Sequence, residues 1–249
     1  MRRALVALAA LLLAAAAPPP SAAPGAVRLA PAKRLVRGAN ALPQIAAPAT
    51  PATARINADL RRQDRVWLEE RAGCMGQGKG SSVERNVTVA MAGPAFLAVE
   101  IRHDLYCAGA AHPNQFPGIL VYDVAAGRPV NWARLIRGVT QSDPPPEDSW
   151  GDTSARVAWP AAHKLYVAKV RAGSGRDRQW WGDCGDLVSD SEGEFYVWPD
   201  AKRGGLVLEP SWMPHVAQVC AESVVFTPAD LRGLGADRRL IEAFAPRQP

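Results

Sequence analysis

Residues 83–103 read VERNVTVAMAGPAFLAVEIRH, and this stretch decides the fold class. Apolar and polar residues alternate from Val83 to Met91, and apolar residues dominate again from Ala95 to His103. Alternation with a period of two is typical of a β-strand that buries one face. Gly93 and Pro94 separate the two runs and indicate a tight turn. The stretch therefore predicts an antiparallel hairpin.

A second hairpin is predicted in the last third of the chain, where residues 194–198 and 206–208 are strand-like and Tyr196 is placed opposite Leu208. The chain has four cysteines, which allow three pairings. Cys74 and Cys107 lie just beyond the open end of the first hairpin, on opposite sides, and Cys184 and Cys220 are placed symmetrically about the pair Tyr196 and Leu208 of the second. The pairings that this spacing favours are Cys74–Cys107 and Cys184–Cys220. No C-x-x-C pair occurs, which disfavours zinc-finger and thioredoxin-type chemistry.

Helical patterns occur at Thr53–Ala72, with Gly73 as the expected stop, and at Pro160–Arg171. Thr227 precedes a proline and has an aspartate three residues later, which predicts the start of a short helix. The acidic run over residues 183–194 is interpreted as a charge-rich loop. The predicted fold is therefore α+β, an antiparallel sheet built from hairpins with helices packed on one face and two disulfides.

The N-terminus predicts export. Met1-Arg2-Arg3 is basic, and the apolar run Ala4–Ala17 that follows has 14 residues, fewer than the roughly 20 of a membrane-spanning helix. We expect a signal peptide over residues 1–23, whose cleavage site is left open, and no transmembrane anchor after processing. Residues 24–39 are rich in proline and alanine and predict a solvated leader. A single domain over residues 40–245 would then lie in the periplasm.

The composition argues against several classes of function. The formal net charge is +5, but no cluster of Lys and Arg has interleaved aromatic residues, so no nucleic-acid partner is predicted. The histidines are scattered without H-x-x-x-H spacing, so neither a metal nor another cofactor is predicted. No G-x-S-x-G nucleophile elbow occurs.

The segment Tyr106-Cys107-Ala108-Gly109-Ala110-Ala111-His112-Pro113-Asn114 is the most unusual in the chain. Small residues allow close approach of a ligand to the backbone, and a His and an Asn are presented on a loop. His112 could bind a ligand or act as an acid or base, or it could stabilise an irregular loop by bonding backbone groups. The ligand-binding candidates are Tyr106, Gly109, His112 and Asn114.

The same segment resembles the C-x-G-G-A-H-P-N signature of the RsiV-like extracytoplasmic domain, although Ala110 stands where glycine is usual. Residues 121–132 and 205–220 resemble two further segments of that family, and the resemblance spans about residues 40–235. It implies an α+β fold with antiparallel sheet and helices on one face, and it transfers no catalytic residue. Such domains occur in lysozyme-sensing anti-sigma factors and beside polysaccharide deacetylases. With only three residues before the apolar run, we expect no cytoplasmic segment here.

These observations predict a stand-alone recognition module of the cell envelope that binds a peptidoglycan fragment or another periplasmic protein without catalysis. The alternative is an envelope hydrolase that uses His112 with an acidic partner. That alternative requires His112 to point into a concave pocket within hydrogen-bond reach of an Asp or Glu side chain.

Overall fold

The computed structural model describes residues 27–141, 155–173, 178–190, 193–211, 213 and 215–245. The predicted signal peptide, residues 1–23, and the three-proline segment 144–146 lie outside the described residues. Among the helices within these ranges, none has both the length and the apolar composition that crossing a membrane requires.

Thirteen strands and six α-helices make up this part of the chain. The strands are β1 (Arg28–Leu29), β2 (Arg34–Val36), β3 (Ala39–Asn40), β4 (Ile45–Ala47), β5 (Ser82–Ala92), β6 (Phe96–Tyr106), β7 (Asn114–Asp123), β8 (Arg128–Pro129), β9 (Thr140–Gln141), β10 (Arg156–Ala158), β11 (Glu194–Asp200), β12 (Gly205–Pro210) and β13 (Val224–Phe226). The helices are α1 (Pro51–Met75), α2 (Trp132–Leu135), α3 (Pro160–Gly173), α4 (Arg178–Ser189), α5 (Pro228–Gly233) and α6 (Arg238–Glu242), and a 3-10 helix covers His215–Cys220.

The first predicted hairpin is confirmed as the centre of a six-stranded sheet. Its strand order is β2-β3-β5-β6-β7-β8, and all neighbours are antiparallel except β3 and β5. β5 and β6 pair along nearly their whole length, with Arg85 opposite His103. A bulge between Val89 and Met91 shifts the register near the turn.

The second predicted hairpin is confirmed as β11 and β12 of a separate, antiparallel five-stranded sheet with the order β13-β12-β11-β10-β9. The predicted register was wrong by one residue, because Tyr196 lies opposite Glu209 and not opposite Leu208. A shift of one residue moves a side chain to the other face of a sheet.

The two sheets pack face to face, with helices on their outer faces. On β6, Leu97 and Val99 pack with α1, whereas Phe96 and Ala98 belong to the buried cluster shared with the five-stranded sheet. On the far face of that second sheet, the ring of Phe195 lies 5.0 Å from the ring of Tyr166 in α3. The order of layers is therefore α1, six-stranded sheet, five-stranded sheet, α3. The α+β class with antiparallel sheets is confirmed, and each sheet has helices on one face.

Helix α1 is fixed at both of its ends. Thr50 caps the N-terminus in a capping box with Thr53, which satisfies backbone N–H groups that have no partner within the helix. The predicted stop at Gly73 was wrong, because the helix continues to Met75 and Gly76 occupies the C-cap. The last turn carries Cys74, whose disulfide to the residue after β6 stabilises this extension.

Part of the predicted leader is folded. Within residues 24–39, β1 pairs with β4 and β2 pairs with β3, and only 6% of Val27 is exposed. The prediction was based on the Pro/Ala-rich composition and gave no weight to the few apolar side chains of this segment, which pack beside α1. The folded part of the chain therefore begins before residue 40.

Both predicted disulfides, Cys74–Cys107 and Cys184–Cys220, are confirmed. The first joins α1 to the residue after β6, and the second joins α4 to the 3-10 helix. The interpretation of residues 183–194 as a loop was wrong in part, since Asp183 and Asp186 lie on α4. Two disulfides are typical of proteins that mature in an oxidising compartment.

Candidate functional site

The predicted ligand-binding loop connects β6 to β7. Tyr106 is the last residue of β6 and is partly buried, whereas Gly109 is exposed and has a φ of +93°, a conformation that favours glycine. His112 is exposed, and its Nδ1 lies 2.9 Å from the carbonyl oxygen of Pro113. Asn114 begins β7 opposite Leu105. The loop thus presents the His112 side chain at the surface, where the ring is hydrogen-bonded to the backbone carbonyl of the next residue.

A concave site lies between the two sheets, and we name it the intersheet cleft. Its volume is about 570 Å³. It is lined by residues of β6, β7, β11, β12 and the segment around the 3-10 helix: Arg102, His103, Asp104, Pro117, Tyr196, Glu209, Pro210, Ser211, Met213, Gln218, Ala221, Glu222 and Ser223. His112 is not among these residues, so this cleft does not provide the pocket that the hydrolase hypothesis requires.

Arg102 is the central charged group of the cleft. Its Nη1 and Nη2 donate to the two carboxylate oxygens of Glu209, at 3.2 and 3.0 Å, and its Nε donates to Glu100 at 2.8 Å. Although burial lowers the pKa of Arg102, the hydrogen bonds and charges of Glu209 and Glu100 raise it above its ordinary value. Arg102 is therefore held in place and charged across the physiological pH range.

Tyr196 lies beside this ion pair on the five-stranded sheet, opposite Glu209 on one side and Arg156 on the other. Burial raises the pKa of Tyr196. The charge of Arg156 lowers this pKa, but the charges of Glu209 and Glu194 raise it, and the pKa lies above its ordinary value. Arg156 donates to Glu194 at 2.6 Å. The phenol therefore stays protonated and offers an uncharged hydroxyl to the cleft.

The remaining lining combines small polar groups with apolar surface. Ser223 accepts a hydrogen bond from Arg203, and Ser211 Oγ is buried without a hydrogen-bond partner in the described chain. Neither serine is hydrogen-bonded to a histidine there, so the arrangement of a base-activated nucleophile is missing. Pro117, Pro210 and Met213 supply apolar contact area. The lining is thus mostly polar, and polar groups that converge on a concave surface are typical of a site that binds a polar ligand.

A buried polar cluster supports the strand that carries Arg102. On the α1 face, the Arg85 guanidinium lies 4.4 Å from the ring centroid of Trp67 and donates to Asp64 at 2.5 Å. Trp67 Nε1 donates to Nδ1 of His103 at 3.2 Å. Burial, followed by the charge of Arg85, lowers the pKa of His103 to about 3. His103 is therefore neutral and fixes α1 to the sheet beneath the cleft.

No group of three or more His, Cys, Asp or Glu side chains within the described ranges could hold a metal ion. The structure therefore offers no metal-binding cluster in the part of the chain that it describes.

The sequence interpretation missed Arg102, Tyr196 and Glu209. One signal was present in β6, where Phe96 and Ala98 face the second sheet and the same alternation then continues through Glu100 and Arg102. A strand face that changes from apolar to charged toward one end indicates that its cover ends there. Tyr196 and Glu209 were hidden by the register, which placed them on opposite faces.

The comparisons with known proteins give distant similarities only. No family model matches the chain, and no curated protein matches it. The chain is similar to a DUF3298 family protein of Bacteroides fragilis, with a TM-score of 0.44 and 13% identity over 80% of this chain and 75% of that chain. It is also similar to a DUF3298 family protein of Pseudomonas aeruginosa, with a TM-score of 0.41 and 13% identity over 69% of each chain. The RsiV-like resemblance stays a prediction.

Proposed function

We propose that this protein is a periplasmic recognition module of the cell envelope that binds a peptidoglycan fragment in the intersheet cleft without catalysis. The observation that carries the proposal is the cleft itself, where Arg102 and Glu209 are fixed by mutual hydrogen bonds beside the hydroxyl of Tyr196. Fixed donors and acceptors bind a polar ligand with little loss of side-chain entropy. A wall fragment, made of sugars and amino acids, presents matching hydroxyl and amide groups.

The predicted loop adds a second part to the proposed site. Arg102, Asp104 and Tyr106 alternate on β6, so Tyr106 belongs to the strand face that bears Arg102. We place the loop with Gly109, His112 and Asn114 at the rim of the cleft, where it would contact an extended ligand. A surface of another exported protein is the second ligand that this arrangement could take.

Binding is tested by titrating purified disaccharide–tetrapeptide wall fragments into ¹⁵N-labelled protein and following amide chemical shifts. We expect shifts at the cleft residues in the unmodified protein and a loss of roughly tenfold or more in affinity for Tyr196→Ala and Arg102→Met. Arg62→Met on α1 is the matched control, since Arg62 also pairs with a carboxylate but lies on another surface. His112→Ala measures the contribution of the loop. Unchanged spectra with every fragment would refute the proposal.

Export is tested separately by cell fractionation. The protein should appear in the periplasmic fraction with a new N-terminus between residues 17 and 30, as read by N-terminal sequencing. An intact Met1 in the cytoplasmic fraction would contradict the proposed location while leaving the binding experiment unaffected.

A further inference from the structure

We infer that the intersheet cleft prefers uncharged ligands rich in hydroxyl and amide groups and binds ligands whose bound part carries a carboxylate more weakly. This inference rests on the proposed function and names the chemical class of its ligand. It follows from three features of the cleft: its charge, the pairing of Arg102 with two carboxylates, and the polar groups that remain available.

The charge of the cleft is opposite to that of the chain. The chain carries a formal net charge of +5, yet the residues lining the cleft comprise one arginine and three carboxylates, Asp104, Glu209 and Glu222. His103 also contributes to the lining, but it is neutral and adds no positive charge. The lining therefore has a formal excess of two negative charges, and in a concave surface such an excess disfavours an approaching anion.

Arg102 does not offset this repulsion, because its charge is already satisfied. Glu209 accepts hydrogen bonds from two N–H groups of Arg102, and Glu100 accepts one from a third. A ligand carboxylate could form the same bidentate pair only by displacing Glu209, whose side chain is 12% exposed. The displaced carboxylate would then remain largely buried without its partner, which is strongly unfavourable.

The polar groups that remain are suited to uncharged ligands. A guanidinium has five N–H donors, so two of those on Arg102 have no acceptor in the described part of the chain. Ser211 Oγ likewise has no described hydrogen-bond partner, and Tyr196, whose raised pKa keeps its hydroxyl protonated, also lines the cleft. Carbonyl oxygens and hydroxyl groups can accept from the arginine and exchange hydrogen bonds with these hydroxyls without adding charge. Sugar hydroxyls, acetamido groups and backbone amides are such ligands.

The test uses two probes of nearly the same shape: a disaccharide–tetrapeptide wall fragment with free carboxyls, and the same fragment with its carboxyls converted to uncharged amides. Dissociation constants are measured by calorimetry in buffer of low ionic strength and again in about 0.3 M salt. We expect the amide to bind roughly tenfold more tightly at low salt, and the ratio to decrease at high salt as the charges are screened.

Two variants separate the causes. Glu222→Gln removes one negative charge without touching Arg102 and should reduce the preference about two- to threefold. Glu209→Gln removes the charge and one of the two accepting oxygens that hold Arg102, and it should bring the free-acid fragment to equal or tighter binding. Circular dichroism establishes that each variant is folded before it is titrated.

The outcomes are distinguishable. Equal affinity for both probes, or tighter binding of the free acid by the unmodified protein, would overturn the inference and leave the proposed function intact. Binding of neither probe would overturn the proposed function, and the inference with it. A preference that both variants leave unchanged would also overturn the inference, because it would show that the lining charges do not cause it.

Discussion

The guanidinium of Arg102 and the carboxylate of Glu209 form a two-fold hydrogen bond, at 3.2 and 3.0 Å, that joins β6 of one sheet to β12 of the other. The two residues are separated by 107 positions in the chain. Only 12% of the Glu209 side chain is exposed, whereas the Arg102 side chain is 46% exposed. The pair therefore serves two purposes: it links the sheets and it fixes the polar groups of the cleft.

The first prediction concerns this link. Arg102→Met should lower the free energy of unfolding by about 1–2 kcal/mol, because Glu209 loses its partner while it stays mostly buried. Urea unfolding at pH 7, followed by tryptophan fluorescence, measures the change. Arg238→Met is the control, since the Arg238–Glu242 pair lies at the surface, and it should cause no measurable change. Equal destabilisation by both variants would contradict the prediction.

The second prediction concerns His103. Its pKa is lowered to about 3 in the folded protein, whereas the ordinary value is about 6.5. Between these two pKa values His103 binds a proton in the unfolded chain but not in the folded protein. The folded state is therefore fully stabilised above pH 6.5, and it loses this stabilisation progressively as the pH falls toward 3. Between pH 7.5 and pH 5 this contribution should fall by about 2 kcal/mol.

Urea unfolding of the protein and of His103→Gln at both pH values isolates this effect. The variant keeps a polar side chain near Trp67 but cannot titrate in this range. We expect the decrease in unfolding free energy toward pH 5 to be about 2 kcal/mol smaller in the variant. Parallel pH dependence of the two proteins would show that His103 is not protected from protonation.

The third prediction concerns the second disulfide, between Cys184 and Cys220, whose residues are 36 positions apart. Replacement of both by serine should lower the free energy of unfolding by about 3–4 kcal/mol, since the unfolded chain gains the freedom of an open loop. Urea unfolding measures this loss. Thiol alkylation gives an independent check: the native protein should react at no cysteine, and the reduced, unfolded protein should react at all four. Labelling before reduction would contradict the disulfide assignment.

The fourth prediction concerns Gly205 at the start of β12. A Cβ there would collide with the carbonyl oxygen of Phe226 on the neighbouring strand, and a backbone group cannot move aside as a flexible side chain can. Gly205→Ala should therefore destabilise the protein by about 2–3 kcal/mol. Gly182→Ala in α4 is the matched control, because a Cβ meets nothing within 4 Å. It should be neutral or slightly stabilising in a thermal melt.

The sequence predicted the hairpins, the disulfides and the long helix because each depends on local signals. The alternation around Gly93-Pro94 and the capping box at Thr227–Asp230 are encoded within a few residues, and the structure has both. The two cysteine pairs followed from their positions relative to the hairpins. That inference tolerated an error of one residue in register, because a disulfide requires approximate proximity.

The division into two sheets and the position of the cleft could not be predicted in this way. Arg102 and Glu209 meet only because two sheets stack. The change from apolar to charged residues along β6 indicates where the cover of that strand ends, but it does not identify the partner of Arg102. The one-residue error that paired Tyr196 with Leu208 was sufficient to separate Tyr196 from Glu209. The unusual sequence of the His112 loop drew attention to that loop, whereas the ordinary residues of the cleft have no distinctive motif.

The placement of the two disulfides has a consequence for movement. One cross-link is confined to α1 and the six-stranded sheet, and the other to α4 and the 3-10 helix beside the five-stranded sheet, so neither spans the gap between the sheets. Each disulfide stabilises one sheet and its own helix. Contact between the two sheets depends on packing and on hydrogen bonds, such as the bond that the backbone N–H of Ala201 donates to the carbonyl oxygen of Ala90. The alignment of the two sheets, and with it the width of the intersheet cleft, therefore depends on packing and hydrogen bonds and on no sulfur–sulfur bond in the described chain.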